Sequence, residues 1–185
     1  LPVPKPRADS EVQLELASSS WLLVVDPDGL AAGILPPGVP VNQIPLTLIT
    51  DYTQEPQKVY MLDLQEDTYQ VYFLGKETGD FHLTGRGSSR GTLVENIAIE
   101  GDSEPGQILR SEMDVDLDAD GKLAGISVTD PEQVDEITGV NIFVQQYVLN
   151  LINDGKFHFP ADLVAGALFS PPPSPPGAPP PTSTR

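Results

Sequence analysis

Asp114, Asp116, Asp118 and Asp120 occupy alternate positions of the stretch DVDLDADGKL, residues 114–123, and Gly121-Lys122 follows the last of them. A calcium loop of the EF-hand type takes side-chain oxygens at positions 1, 3 and 5, Gly at 6, a backbone carbonyl at 7 and a bidentate acid at 12. Counting from Asp116 places Asp118, Asp120, Gly121 and Lys122 at positions 3, 5, 6 and 7. Position 12 falls on Ser127, which has no carboxylate, so Asp130 and Glu132 would have to close a longer loop, with Asp114 adding one more oxygen. All-oxygen ligation of this kind selects Ca²⁺ over transition metals. The same residues also read as a strand tail: Met113, Val115 and Leu117 face inward, and the aspartates face water until ADGK turns the chain. Both readings stay open at the level of sequence.

A second constellation is GSSRG, residues 87–91, a literal G-x-S-x-G with Ser89 in the nucleophile position. That motif works on a strand-to-helix elbow. Here TLVENIAIE follows, which alternates like a strand, so Gly85, Gly87 and Gly91 read as a hairpin loop. Only His82 and His158 could act as base, and no pair of carboxylates stands out. No catalytic residue is assigned, and the expectation is a protein that is not an enzyme.

The elements that must position these residues are mostly strands. VQLEL puts Val12, Leu14 and Leu16 on one face. WLLVV is a short apolar run with Trp21 as core, ended by DPDG, where Pro presets φ and Asp-Gly tolerates a left-handed turn. KVYMLDL (58–64) and YQVYFLG (69–75) are rich in β-branched and aromatic residues, and QEDT between them reads as a hairpin connection. DFHLTG, TLVENIAIEG and GQILRSEMDV complete seven to nine short strands with turn signals every ~8–12 residues, the spacing of a sandwich or barrel. From Asp130 the pattern changes: Asp130 suits an N-cap, Pro131 the first helical position, and Glu132 and Asp135 the positive end of a helix dipole. Ile142, Phe143, Val144, Tyr147, Val148, Leu151 and Ile152 then form an apolar stripe, closed by Asn153-Asp154-Gly155.

The expected organisation is a Pro-rich lead-in (1–10), a β-sandwich (11–128), a helical segment packed on the sandwich or on a neighbour (129–169), and a proline tail (170–185). The fold class is all-β, an antiparallel Ig-like or jelly-roll-type sandwich with a C-terminal helix. Eight prolines among residues 171–181 make the tail a polyproline II spacer of ~3.1 Å per residue. Ser174, Thr182, Ser183 and Thr184 are candidate O-glycan acceptors there.

Composition narrows the function classes. In 185 residues, 10 Lys+Arg stand against 27 Asp+Glu, a formal charge of −17. Such a chain repels phosphate backbones, so nucleic acid is not an expected partner. It has no basic face for an anionic membrane and no apolar run of the ~18 residues that a membrane helix needs. It has no cysteine, which excludes disulfides and thiolate sites. The start at LPVPKPRADS, with neither initiator Met nor signal peptide, reads as a processed product or a piece of something longer.

The layout of residues 21–87 carries a resemblance. An apolar strand, an Asp-Pro-x-Gly turn, a Tyr-x-Val strand, a Gly-rich turn and a Phe-x-Leu strand fall on Asp26, Pro27, Gly29, Tyr69, Val71, Gly75, Gly79, Phe81 and Leu83. This resembles bacterial extracellular β-sandwich modules of the prepeptidase C-terminal type, and residues 99–113 resemble the closing strand pair of related surface modules. The resemblance implies a non-catalytic appendage of a secreted enzyme or surface protein. The expected function is therefore a secreted or cell-surface structural subunit or accessory module. Its partners would be copies of itself, as in a filament, or neighbouring domains. The alternative is a carbohydrate- or protein-binding module of a larger secreted enzyme.

Overall fold

The computed structural model describes residues 8–36, 38–50, 55–138 and 140. Residues 1–7 of the lead-in, the apolar stripe from residue 142, His158 and the proline tail lie outside the described residues. Among the described residues, twelve strands form two antiparallel sheets that pack face to face as a sandwich. The five-stranded sheet has the order β5 (Thr47–Ile49), β6 (Gln57–Leu62), β1 (Glu11–Ser18), β8 (Gly79–Ser89), β9 (Thr92–Ser103). The seven-stranded sheet has the order β11 (Leu123–Val128), β10 (Ile108–Leu117), β7 (Thr68–Gly75), β2 (Ser20–Val25), β3 (Ala31–Leu35), β4 (Val39–Asn42), and β12 (Glu132–Gln133) also pairs with β10. Among the described residues there is no helix, so none is long and apolar enough to cross a membrane.

Alternation builds the core. Val12, Leu14 and Leu16 of β1 are fully buried, while Glu11, Gln13 and Glu15 point to the other face. Val59 and Met61, Tyr69, Val71 and Phe73, and Phe81 and Leu83 meet them between the sheets. Each such side chain contributes about 1.5–3 kcal/mol by leaving water. The Phe73 and Phe81 rings stack at 4.4 Å between centroids and join the two sheets. Gly101 leaves room for that stack, because a Cβ there would sit 2.7 Å from Phe81 Cζ.

WLLVV is apolar throughout because β2 is covered on both faces. Leu22 and Val24 belong to the core between the sheets, while Leu23 and Val25 belong to a second cluster on the far face of the seven-stranded sheet. Tyr72 and Leu74 of β7 join that second cluster, and Ile137 and Val140 close over it. The Tyr72 hydroxyl accepts the Thr138 N–H at 3.0 Å and donates to its carbonyl at 3.2 Å. Trp21 is partly buried against the same cluster.

Three expectations are corrected. QEDT is not a hairpin: β6 and β7 lie in different sheets, and residues 63–67 cross between them. Leu64 is buried within the crossing, and its N–H donates to Ser10 Oγ at 2.8 Å. Inward residues of both strands face one another across the core, so the alternation is the same whether the strands pair or oppose. Nor does a helix begin at Asp130. Glu132 and Gln133 pair with Arg110 and Leu109, extending the edge that β11 occupies further along β10. Asp-Pro serves this as well as a helix start, since the residue before Pro is held extended. Finally, Gly85 and Gly87 are strand residues. A Cβ at Gly85 would sit 2.8 Å from Leu14 Cδ2, and one at Gly87 2.7 Å from Ile126 Cδ1, so both allow close packing.

Candidate functional site

The aspartate stretch forms the β10–β11 hairpin. Asp114 and Asp116 are exposed on β10, Asp118, Asp120 and Lys122 lie in or beside the turn, and Asp130 is exposed beyond β11. Gly121, at φ 77°, takes the left-handed position that closes the reversal, and its N–H donates to the Asp118 carbonyl at 2.9 Å. Asp118 Oδ1 accepts the N–H groups of Asp120 and Lys122, each at 2.9 Å. The Lys122 carbonyl, which a calcium loop would use as its seventh ligand, accepts the Asp118 N–H at 2.8 Å. Asp114 accepts the Thr68 hydroxyl. Ser127, at the twelfth position, pairs with Asp114 up the ladder instead of returning to the turn. Among the described residues no group of three or more His, Cys, Asp or Glu side chains comes together to hold a metal. The donor set is strung along a hairpin and does not fit a calcium cage.

Ser89 is the last residue of β8, and Arg90 (φ 48°) and Gly91 (φ 80°) form a two-residue turn into β9. The Ser89 hydroxyl donates to the Asp9 carbonyl at 2.7 Å. A strand, not a helix, follows, so the nucleophile elbow is not formed there. His82 stands on the outer face of β8 opposite Glu100, with Nδ1 3.4 Å from Oε1.

The outer face of the five-stranded sheet holds the arrangement that sequence reasoning missed. Strand registers place Leu48 of β5, Tyr60 of β6, Gln13 of β1, Arg86 of β8 and Asn96 of β9 in one row straight across the sheet. Directly opposite residues share a face with Cβ atoms ~4.5–5.5 Å apart, and four interstrand gaps make the row roughly 19 Å long. A neighbouring row carries Lys58, Glu15 and Thr84. Three shallow depressions run along these rows, of about 470, 240 and 210 Å³, and all three are lined by Gln13. Thr84, Arg86 and Asn96 line the largest; Lys58 and Tyr60 line the next; Glu11, Tyr60, Arg86 and Ser88 line the third.

The two carboxylates beside this row, Glu11 and Glu15, are already held. Glu11 Oε2 accepts the Tyr60 hydroxyl at 2.6 Å. That hydrogen bond, with burial and the Glu11 charge, pushes the Tyr60 phenol up to about 12. Glu15 Oε1 accepts the Gln13 amide at 2.7 Å and pairs with Lys58 Nζ at 3.2 Å. Arg86 is different: it is exposed, and it alone among the described Lys and Arg side chains has no carboxylate within 4.0 Å. Its neighbours across the ladder, Gln13 and Asn96, are amides.

The signal available to sequence was the outward polar residues of β1 and β8. Their alignment with Tyr60 and Asn96 depends on pairings between strands far apart in the chain. No family model matches this chain, and neither does any curated protein or solved structure.

Proposed function

We propose that this chain is a non-catalytic accessory module of a secreted or cell-surface protein, holding a glycan against the outer face of its five-stranded sheet. One observation carries the reading: a straight row of phenol, amide, guanidinium and amide groups, flanked by hydroxyls, along depressions that meet at Gln13. Planar polar groups fixed on a rigid sheet can hydrogen-bond sugar hydroxyls at small entropic cost, the amides and the phenol both giving and accepting and the guanidinium only giving. Tyr60 adds an aromatic surface beside exposed Leu48. The resemblance to prepeptidase C-terminal modules points to the same kind of role, an appendage without catalysis.

Assembly into a filament by strand addition is the less favoured reading, because three of the four described edge strands are blunted. β5 has three residues, β4 carries Pro40, and β9 carries Glu95, Glu100 and Asp102. Short strands, proline and charge are the usual defences of a sheet edge.

Affinity electrophoresis through gels containing neutral and acidic polysaccharides tests the proposal. The protein is expected to be retarded by at least one of them, and Gln13→Ala, which alters all three depressions, to migrate freely. Free migration of the unaltered protein in every gel would remove the reading.

A further inference from the structure

We infer that the glycan is sparsely acidic, and that Arg86 receives one of its carboxylates, as in a uronic-acid residue within an otherwise neutral oligosaccharide. This rests on the glycan reading above and narrows it. Beside the row, the described charges leave one cation without a carboxylate partner. Glu15 is matched by Lys58, Glu11 is held by the Tyr60 hydroxyl, and Arg86 is left without an ionic partner in a chain of net charge −17. An unpaired guanidinium amid so much acid is unusual, since any mobile carboxylate nearby gains by turning to it. Here its cross-strand neighbours are Gln13, which is tied to Glu15, and Asn96.

The guanidinium fork matches a carboxylate through two parallel hydrogen bonds, a geometry that an ammonium group cannot offer. The other polar groups of these depressions are the amides of Gln13 and Asn96, the hydroxyls of Thr84 and Ser88, and the carboxylates of Glu15 and Glu11, held by Lys58 and by the Tyr60 hydroxyl. They suit hydroxyl-bearing rings on either side of a single charge. A densely sulfated or phosphorylated chain does not fit, because among the described residues Arg86 is the one Lys or Arg of the face without a carboxylate partner, and the surrounding field repels repeated anions. Arg86 lines two of the depressions, so a carboxylate there can continue into either.

The test is a glycan microarray of neutral oligosaccharides and their uronic-acid-bearing counterparts, probed with the full chain and with Arg86→Gln, followed by calorimetry on the best pair. Uronate-bearing members are expected to bind more tightly than their neutral partners. Arg86→Gln is expected to remove that preference, a loss of roughly tenfold or more for uronate-bearing members through one charge-assisted pair, and to weaken the neutral members less. Arg86→Lys should recover only part of the loss, because it keeps the charge without the fork. Equal binding of neutral and acidic partners, unaffected by Arg86→Gln, would overturn the inference and leave the glycan reading standing. No binding to any glycan would overturn both. So would self-association in sedimentation that Arg86→Gln abolishes, which would assign the face to a second copy of the chain. Should Arg86→Gln fail to fold, Asn96→Ala, beside it on the exposed face, is expected to weaken both classes of glycan, and unchanged binding would count against the row.

Discussion

At the scale of single residues, the Tyr60–Glu11 contact gives a titration that belongs to the proposed face. The Tyr60 phenol is raised from 10.0 to about 12, first by its hydrogen bond to Glu11. A group whose folded pKa lies above its unfolded value stabilises the fold fully below the unfolded pKa and loses that contribution as pH rises through the folded one. The contribution of Tyr60 is thus present up to pH 10 and fades between 10 and about 12. Spectrophotometric titration of the tyrosines should show late-ionising groups in the unaltered protein. Glu11→Gln should bring one of them down, and Tyr60→Phe should remove it. A titration unchanged by Glu11→Gln would break the link between the two residues. In the core, Phe81 is fully buried and stacked on Phe73. Phe81→Ala is expected to cost about 3–5 kcal/mol in denaturant unfolding. Gly101→Ala should cost about 1–3 kcal/mol, since the added methyl meets the Phe81 ring.

Elements bring in pairing, and here the sequence was informative about each strand and nearly silent about its partner. Val12, Leu14 and Leu16 announce an inward face whichever sheet β1 joins, and DPDG announces a reversal by its own local chemistry. QEDT looks equally like a hairpin and a crossing, because alternation specifies the buried face and not the neighbour. The row Tyr60–Gln13–Arg86–Asn96 was hidden for the same reason. Only its Arg86–Asn96 step lies near a local turn, and counting it requires both a reversal at Arg90–Gly91 and a bulge between Gly87 and Ser88 that shifts the register by one residue. The aspartate hairpin was legible in both of its alternatives. Its turn is closed by Asp118 Oδ1, two backbone N–H groups and left-handed Gly121, with no cation required. Saturating Ca²⁺ is therefore expected to shift the melting temperature no more than an ionic-strength control does. Asp118→Ala should cost about 1 kcal/mol through loss of the side-chain acceptor, and Gly121→Ala about 1–2 kcal/mol through left-handed strain. A calcium-specific rise of several degrees, abolished by Asp118→Asn and Asp120→Asn together, would instead establish the loop as a metal site.

Across the whole molecule, two forces of opposite sign respond to salt. The fold carries −17, and most of that charge lies in exposed acids without cationic partners, so the compact state repels itself. Two apolar clusters hold against this repulsion, one between the sheets and one on the far face of the seven-stranded sheet closed by Ile137 and Val140. Ile137→Ala should cost about 2–5 kcal/mol without touching the outer face of the other sheet, so glycan binding by the folded fraction should persist. Raising NaCl from ~0.01 M to ~1 M shortens the Debye length from ~30 Å to ~3 Å. Self-repulsion is then screened, and the melting temperature is expected to rise. The pairing of Arg86 with a ligand carboxylate is screened by the same ions, so affinity for acidic glycans should fall over that range while affinity for neutral ones stays level. Stability and acidic binding moving in opposite directions would place the attraction locally at Arg86 and the repulsion in the chain as a whole. If both rose together, a carboxylate contact could not be the source of binding, and the apolar surface of Tyr60 and Leu48 would have to carry it.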